Sequence, residues 1–301
     1  MTIDRQCGSS QQALNFAIAS VEAGHYDVVV AGGVEVMSRV PWAPRPPWAG
    51  RPTPSLPRAV RRGAAEPGHR RRDDRREVGP EPHRRGRLLR ALARTGRRRP
   101  GRRTVRRPDR AGHHPGRNRR LAGRGIRRGT TVEKLAGLKT VFKEDGVIHA
   151  GNSSQISDGS AALLIMSEEA AVKHGLTPLA KIHTAVVTGS DPVIMLTAPI
   201  PATEKALAKS GLSVDDIGVF EVNEAFAPVP MAWQKEIGAP EDKLNPNGGA
   251  IALGHPLGGS GARILTDMIF HMRRNNLRYG LQTMCEGGGQ ANATILELVA
   301  Q

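Results

Sequence analysis

The chain has 301 residues, a net charge of +16 and only two cysteines, Cys7 and Cys285. That length provides one large domain or two. Two cysteines exclude a disulfide scaffold and fit a reducing, cytoplasmic setting. No apolar run is long enough to span a membrane and no charged-then-apolar leader opens the chain, so no membrane partner is expected.

The positive charge points at face value to an anionic partner such as nucleic acid. It is concentrated, however. Residues 43–124 hold 27 Arg, no Lys and six acidic residues, a net +21, which leaves −5 for the remainder. The body of the protein is mildly acidic, and the basicity belongs to one insert.

In chain order, Gln11 to Ala23 carries apolar residues at helical spacing (Ala13, Leu14, Ala17, Ile18, Val21), with Gly24 as a stop. Tyr26 to Ala31 reads as a buried strand closed by Gly32-Gly33. Cys7 stands just ahead of the helix, where free N–H groups and the helix dipole favour a thiolate; the alternative is a small buried apolar residue. Residues 43–124 show neither helical nor strand periodicity and fit a disordered basic arm. Beyond them, Ala150-Gly-Asn-Ser-Ser154 and Ser157-Asp-Gly159 read locally as an Asn/Ser/Gly turn leading into the buried run Ala161 to Met166. Ala180 to Gly189 reads as a strand, Pro201 to Ser210 as a helix stopped by Gly211, Ser213 to Asp216 as a helix cap, and Gly218 to Val222 as a strand. Alternating strands and helices with short links argue for an α/β fold.

Three strings then carry chemistry. The first is Glu221-Val-Asn-Glu-Ala-Phe-Ala227, after an apolar run. The second is NPNGGAIALGHPLGGSGARI, residues 245–264, in which His255 sits among six glycines. The third is Cys285-Glu-Gly-Gly-Gly289. The glycine-rich stretch is a poor regular element at its centre and reads as a shaped loop presenting His255, with a helix starting near Ser260. The alternative is a glycine-rich turn with an incidental histidine. Together, the strings resemble the NEAF, GHPxGxSG and CxGGG motifs of the thiolase family. The opening stretch, with Cys7 followed by Ser, Gln and Ala and then Gly32-Gly-Val-Glu-Val-Met-Ser38, resembles that family's nucleophile segment, although Ser10 stands where the family usually has Gly.

The resemblance implies a layered αβαβα thiolase architecture with an incomplete N-terminal half. It implies an acyltransferase of fatty acid metabolism and β-oxidation, acting by Claisen condensation of two acetyl-CoA or by CoA-dependent cleavage of 3-ketoacyl-CoA. Cys7 is then the nucleophile, His255 its activating partner, and Cys285 the second thiol, which moves the α-proton. His255 and a water held by Asn223 face the enolate oxygen. The N–H groups of Cys7 and Gly287 face the acyl-enzyme oxygen. Ser154, Ala225 and Phe226 are implied to meet CoA, and Glu224 is read as structural. Acyl-CoA and CoA are substrates; no cofactor is implied, and the ten histidines lack the paired spacing of a zinc site. A homodimer or homotetramer is expected, with no specific nucleic acid.

Four divisions follow: residues 1–41 as a remnant of the N-terminal domain, 42–124 as an Arg/Pro-rich segment, 125–176 as the end of the loop domain and last part of the N-terminal domain, and 177–301 as the C-terminal domain. The family has a long segment ahead of the nucleophile, so the chain is expected to be truncated. Arg without Lys, in a Pro/Ala/Gly background, is also what a GC-rich gene yields out of frame. Allowed codons for Arg71 to His114, read from their second base, give an amphipathic text resembling the thiolase loop domain. A frameshift between about Pro41 and Gly125 is therefore expected. Two alternatives stand beside the enzyme: an inactive thiolase-like fragment, and a nucleic-acid binder using the Arg-rich segment.

Overall fold

The structure is a computed structural model that describes residues 1–39, 127 and 129–299. The segment expected to be disordered, out of frame or nucleic-acid-binding, residues 42–124, lies outside the described residues. Among the described residues no helix is long and apolar enough to cross a membrane.

The elements alternate as the sequence predicts. A 3₁₀ turn at Gln6–Gly8 leads into α1 (Ser9–Glu22), followed by β1 (Val28–Val36), α2 (Val132–Ala136), β2 (Asp158–Met166), α3 (Glu168–Lys173), β3 (Ala180–Gly189), α4 (Pro199–Ser210), β4 (Ile217–Val222), α5 (Pro228–Ile237), α6 (Ala250–Leu253), α7 (Leu257–Asn275), β5 (Tyr279–Glu286) and β6 (Gln290–Leu298). β1 and β2 form an antiparallel pair, and the other four strands form a sheet in the order β3-β6-β5-β4. Its last pair, β5 and β4, is parallel, so both strands end at the same edge.

Two apolar clusters lie on opposite faces of that sheet. On one face, Ala202 and Ala206 of α4 and Trp233 of α5 pack on Phe220, Val222, Leu281 and Ile295. The indole N–H of Trp233 donates to Thr203 Oγ1 at 2.8 Å, which satisfies its one polar atom in the core. On the other face, Leu14 and Ala17 of α1 and Leu265, Met268 and Met272 of α7 pack on Val219 and Leu296 and reach Ala31 of β1. The layers therefore run helix, sheet, helix, strand pair. The outer face of the strand pair presents Val30, Val34 and Leu164, which are 69, 66 and 56% exposed.

Four local expectations change. Gly32-Gly33 does not close β1, which runs on to Val36. The helix after His255 begins at Leu257 and includes Gly258, Gly259 and Gly261. The run Ala161 to Met166 alternates instead of being buried throughout. Ser213 to Asp216 is a turn rather than a helix cap, with the Ser213 N–H and hydroxyl both donating to Asp216 Oδ2 at 2.8 and 2.6 Å. The first two share a cause. The α7 backbone lies directly on β1, and a Cβ on Gly33 would fall 1.9 Å from the carbonyl oxygen of Gly258. Contact with neighbouring backbone overrides the poor intrinsic helix propensity of glycine.

Backbone cannot yield as a side-chain tip can, so Gly33→Ala should destabilise the fold by about 1–3 kcal/mol or more. Urea denaturation measures this as a lower midpoint, and a midpoint equal to that of the parent chain would show that the α7–β1 contact is loose.

Candidate active site

The parallel pairing of β4 and β5 brings two of the chemical motifs to one edge. Asn223 follows β4 and Cys285 is the penultimate residue of β5. The Asn223 N–H donates to Thr283 O at 3.1 Å, which extends the pairing to the site. Both side chains are 1% exposed. The Asn223 side chain eases ionisation of the Cys285 thiol, and its Nδ2 lies 3.4 Å from His255 Nε2.

His255 sits in the link between α6 and α7 and is buried. Its backbone N–H is shared between Gln155 O and Ser157 Oγ, both at 3.2 Å, so the segment after Ser154 braces it. Its Nδ1 is 2.7 Å from Ser260 Oγ. The Ser260 hydroxyl proton is engaged, because that oxygen donates to Pro256 O at 2.8 Å. Nδ1 is therefore the protonated nitrogen and Nε2 carries the free lone pair, which the Asn223 amide meets as donor. Burial, followed by the charge of Arg263, lowers the imidazole to about 4. The ring is neutral at neutral pH, with its basic nitrogen turned toward Asn223.

Cys7 enters from the other side, on the 3₁₀ turn that precedes α1. The turn is tied to the helix: Arg5 N–H donates to Ser9 Oγ at 2.9 Å and Ser9 Oγ donates to Gln6 O at 2.7 Å. Cys7 is half-buried. Burial, then Cys285, Glu286 and Glu35, push its thiol well above the usual 9.0, against the pull of its backbone hydrogen bond. This corrects the expectation of a resting thiolate. The helix N-terminus is where the sequence predicts it, but desolvation and neighbouring acids outweigh it. Gly287, in the turn between β5 and β6, lies beside the Gln6 side chain. Gly288 and Gly289 follow it with φ of 76 and 77°, values that glycine adopts readily.

The residues implied to meet CoA also come together. Ser154 N–H donates to Ala225 O at 3.0 Å, Ser153 bridges to Phe226, and Ala227 N–H donates to Asn152 O at 2.8 Å. The Phe226 ring meets Phe142 edge-on at 5.6 Å. Phe142 in turn lines an open cleft of about 580 Å³ formed by Leu138 to Glu144. Neither thiol lines that cleft. Glu224 is buried, accepting from Asn245 Nδ2 at 2.9 Å and from the Ile251 N–H at 3.1 Å, and burial raises it to about 7. It caps α6.

Sequence reasoning passed over three groups. Ser260 fixes the tautomer of His255. Glu35 of β1 accepts the Gly258 N–H at 3.0 Å and so caps α7 from outside. Arg5 pairs with Glu286. Glu35 lies within the Gly32-Gly-Val-Glu-Val-Met-Ser38 string and Ser260 within Gly258-Gly-Ser-Gly261, so the strings that carry the resemblance held a signal for both.

Burial also pushes the Cys285 thiol up to about 12. A raised folded-state pKa means that the protonated form is favoured. Stability is then unaffected below the ordinary thiol value of 9.0 and is lost as pH rises from there toward 12. The full loss is on the order of 4 kcal/mol. Urea midpoints at neutral pH and at about pH 10.5 should therefore diverge, and Cys285→Ala should narrow the gap. An equal gap in both proteins would contradict this.

The chain matches the family described as thiolase, C-terminal domain, over residues 176–298, and thiolase, N-terminal domain, over residues 1–55 and 118–169. It is 43% identical over 326 residues to a steroid 3-ketoacyl-CoA thiolase of Mycobacterium tuberculosis, covering 99% of this chain and 74% of the relative. It is 38% identical over 322 residues to a β-ketoadipyl-CoA thiolase of Escherichia coli, covering 99% and 79%. Crystal structures of human mitochondrial 3-ketoacyl-CoA thiolase superpose with TM-scores of 0.78 and, in complex with CoA, 0.77, at 32 and 34% identity, each covering 99% of this chain and 78% of the other. The paired thiols, the buried imidazole and the layered sheets thus belong to a member of the thiolase family, a family of CoA-dependent acyltransferases.

Proposed function

We propose that this site cleaves 3-ketoacyl-CoA with CoA, and in reverse condenses two acetyl-CoA, through an acyl group carried on Cys7. The observation that carries the reading is that Cys285 is near enough to Cys7 to oppose its ionisation, while the Asn223 side chain eases that of Cys285 and lies 3.4 Å from His255 Nε2. In the cleavage direction the Cys7 proton passes to His255 Nε2 as sulfur bonds to the keto carbon. The Cys7 and Gly287 N–H groups receive the resulting oxyanion. The bond between the α and keto carbons then breaks. Its electrons form the enolate of acetyl-CoA, and Cys285 delivers a proton to that carbon, while the shortened acyl group stays on Cys7. His255, now protonated at Nε2, donates to the enolate oxygen, together with a water held by Asn223, whose Oδ1 is buried without a partner. The thiol of CoA then gives its proton to Cys285 and takes the acyl group from Cys7, whose departing sulfur recovers its proton from His255, restoring the enzyme.

CoA acts as substrate, meeting the surface formed by Ser154, Ala225 and Phe226; the solved relative that holds CoA supports this. No separate cofactor is needed. A homodimer or homotetramer in the cytoplasm fits the family. The test is CoA-dependent release of acetyl-CoA from acetoacetyl-CoA by the 301-residue chain. Release that persists after Cys7→Ala would refute the assignment.

A second reading is favoured by the family match, which leaves residues 56–117 unmatched between two matched stretches. We propose that residues 42–124 are out-of-frame text, and that turnover rises sharply when the frame is restored. The DNA sequence across the codons of Pro41, Ser55 and Arg117 decides this, and an intact frame there refutes it.

A further inference from the structure

We propose that Arg5 and Glu286 form a positioning pair that locks the Cys7 turn to the Cys285 strand and sets a carboxylate against both thiols. The inference rests on Cys7 being the nucleophile. Glu286 directly follows Cys285 and is 2% exposed. Its Oε2 accepts from Arg5 Nε, two residues before Cys7. Its other oxygen, Oε1, is buried without a hydrogen-bond partner and lies against residue 8, where a Cβ would fall 1.9 Å from it. A Cβ on the residue after Cys7 would displace this carboxylate from its place. An acid with one oxygen paired and the other held on the nucleophile's own turn is costly to bury. A device that served only to join the segments would satisfy both oxygens.

The charges around Cys7 define the effect. Cys285, Glu286 and Glu35 all oppose its ionisation, while His255, from the link before α7, is neutral. Arg263 of α7 acts on His255 and Glu224. Arg5 lowers Glu286, which burial raises to about 7. At and above neutral pH the carboxylate therefore holds back formation of the Cys7 thiolate, and Arg5 moderates it. The nucleophile stays a thiol until it transfers its proton to His255, which protects an empty site from adventitious alkylation or oxidation.

The experiment is the pH dependence of iodoacetamide alkylation at Cys7, followed by peptide mass spectrometry on the full chain. It needs no turnover, so its outcome is separable from that of the thiolysis assay. Glu286→Gln keeps the acceptor for Arg5 and removes the charge; alkylation at about pH 8 should accelerate roughly threefold to tenfold. Arg5→Gln leaves the carboxylate unneutralised and should move the profile to higher pH. Opposite shifts support the pair. An unchanged profile, or shifts of the same sign in both variants as a merely loosened turn would give, overturns it. If Glu286→Gln does not fold, the direction of the Arg5→Gln shift decides alone.

Discussion

Cys7→Ala should lower CoA-dependent cleavage of acetoacetyl-CoA by on the order of 10⁴-fold or more, with KM little changed. No second group can take over. Cys285, the other described thiol, is 1% exposed and its thiol is pushed up to about 12. It is placed to move a proton rather than to carry an acyl group. Removing Cys7 leaves the substrate surface at Ser154, Ala225 and Phe226 untouched, because those residues are held by their own backbone pairing. Steady-state rates and KM for the parent and the variant check this. A loss confined to KM would place Cys7 outside the chemistry.

His255→Ala should cost about 10³–10⁴-fold in kcat, because one ring serves two steps. At rest its Nε2 accepts; having taken the Cys7 proton, it donates to the enolate oxygen. The ring also begins neutral, since burial lowers it to about 4, so activity should not fall through the ordinary histidine range as pH drops from 7 to about 5. A plateau there, with an acidic limb below it, is the expected kcat profile. A midpoint near the ordinary value of 6.5 would mean that the imidazole is wetter than its 2% exposure implies. Ser260→Ala should give a smaller loss, by freeing the tautomer while leaving the ring.

Much of this site was legible in the sequence, because its chemistry is written in short local strings. Cys7, His255, Cys285 and Asn223 each stand in a motif whose glycines or flanking strand identify it. What could not be read were partners supplied from elsewhere in the chain. Glu286 looks like a surface acid until Arg5 and the bare Cα of Gly8 are brought to it from 281 residues away. Cys7 looks like a thiolate at a helix N-terminus until neighbouring acids and burial are added. Gly32 and Gly258 look like breakers because local propensity knows nothing of the backbone packed across them. In contrast, β3 runs Ala180–Gly189 as predicted, because a β-branched run between turn residues needs no distant partner to declare itself. The resemblance supplied the fold class, whereas spacing alone gave only an α/β protein.

The central claim is that Cys7 carries the acyl group while Cys285 moves the proton. It is tested most directly by trapping the intermediate. The 301-residue chain is incubated with acetyl-CoA, quenched in acid, digested and examined by mass spectrometry. An acetyl thioester on the peptide bearing Cys7, retained in Cys285→Ala and absent in Cys7→Ala, is the result expected. An acetyl group on Cys285, or turnover with neither cysteine acylated, would contradict the account.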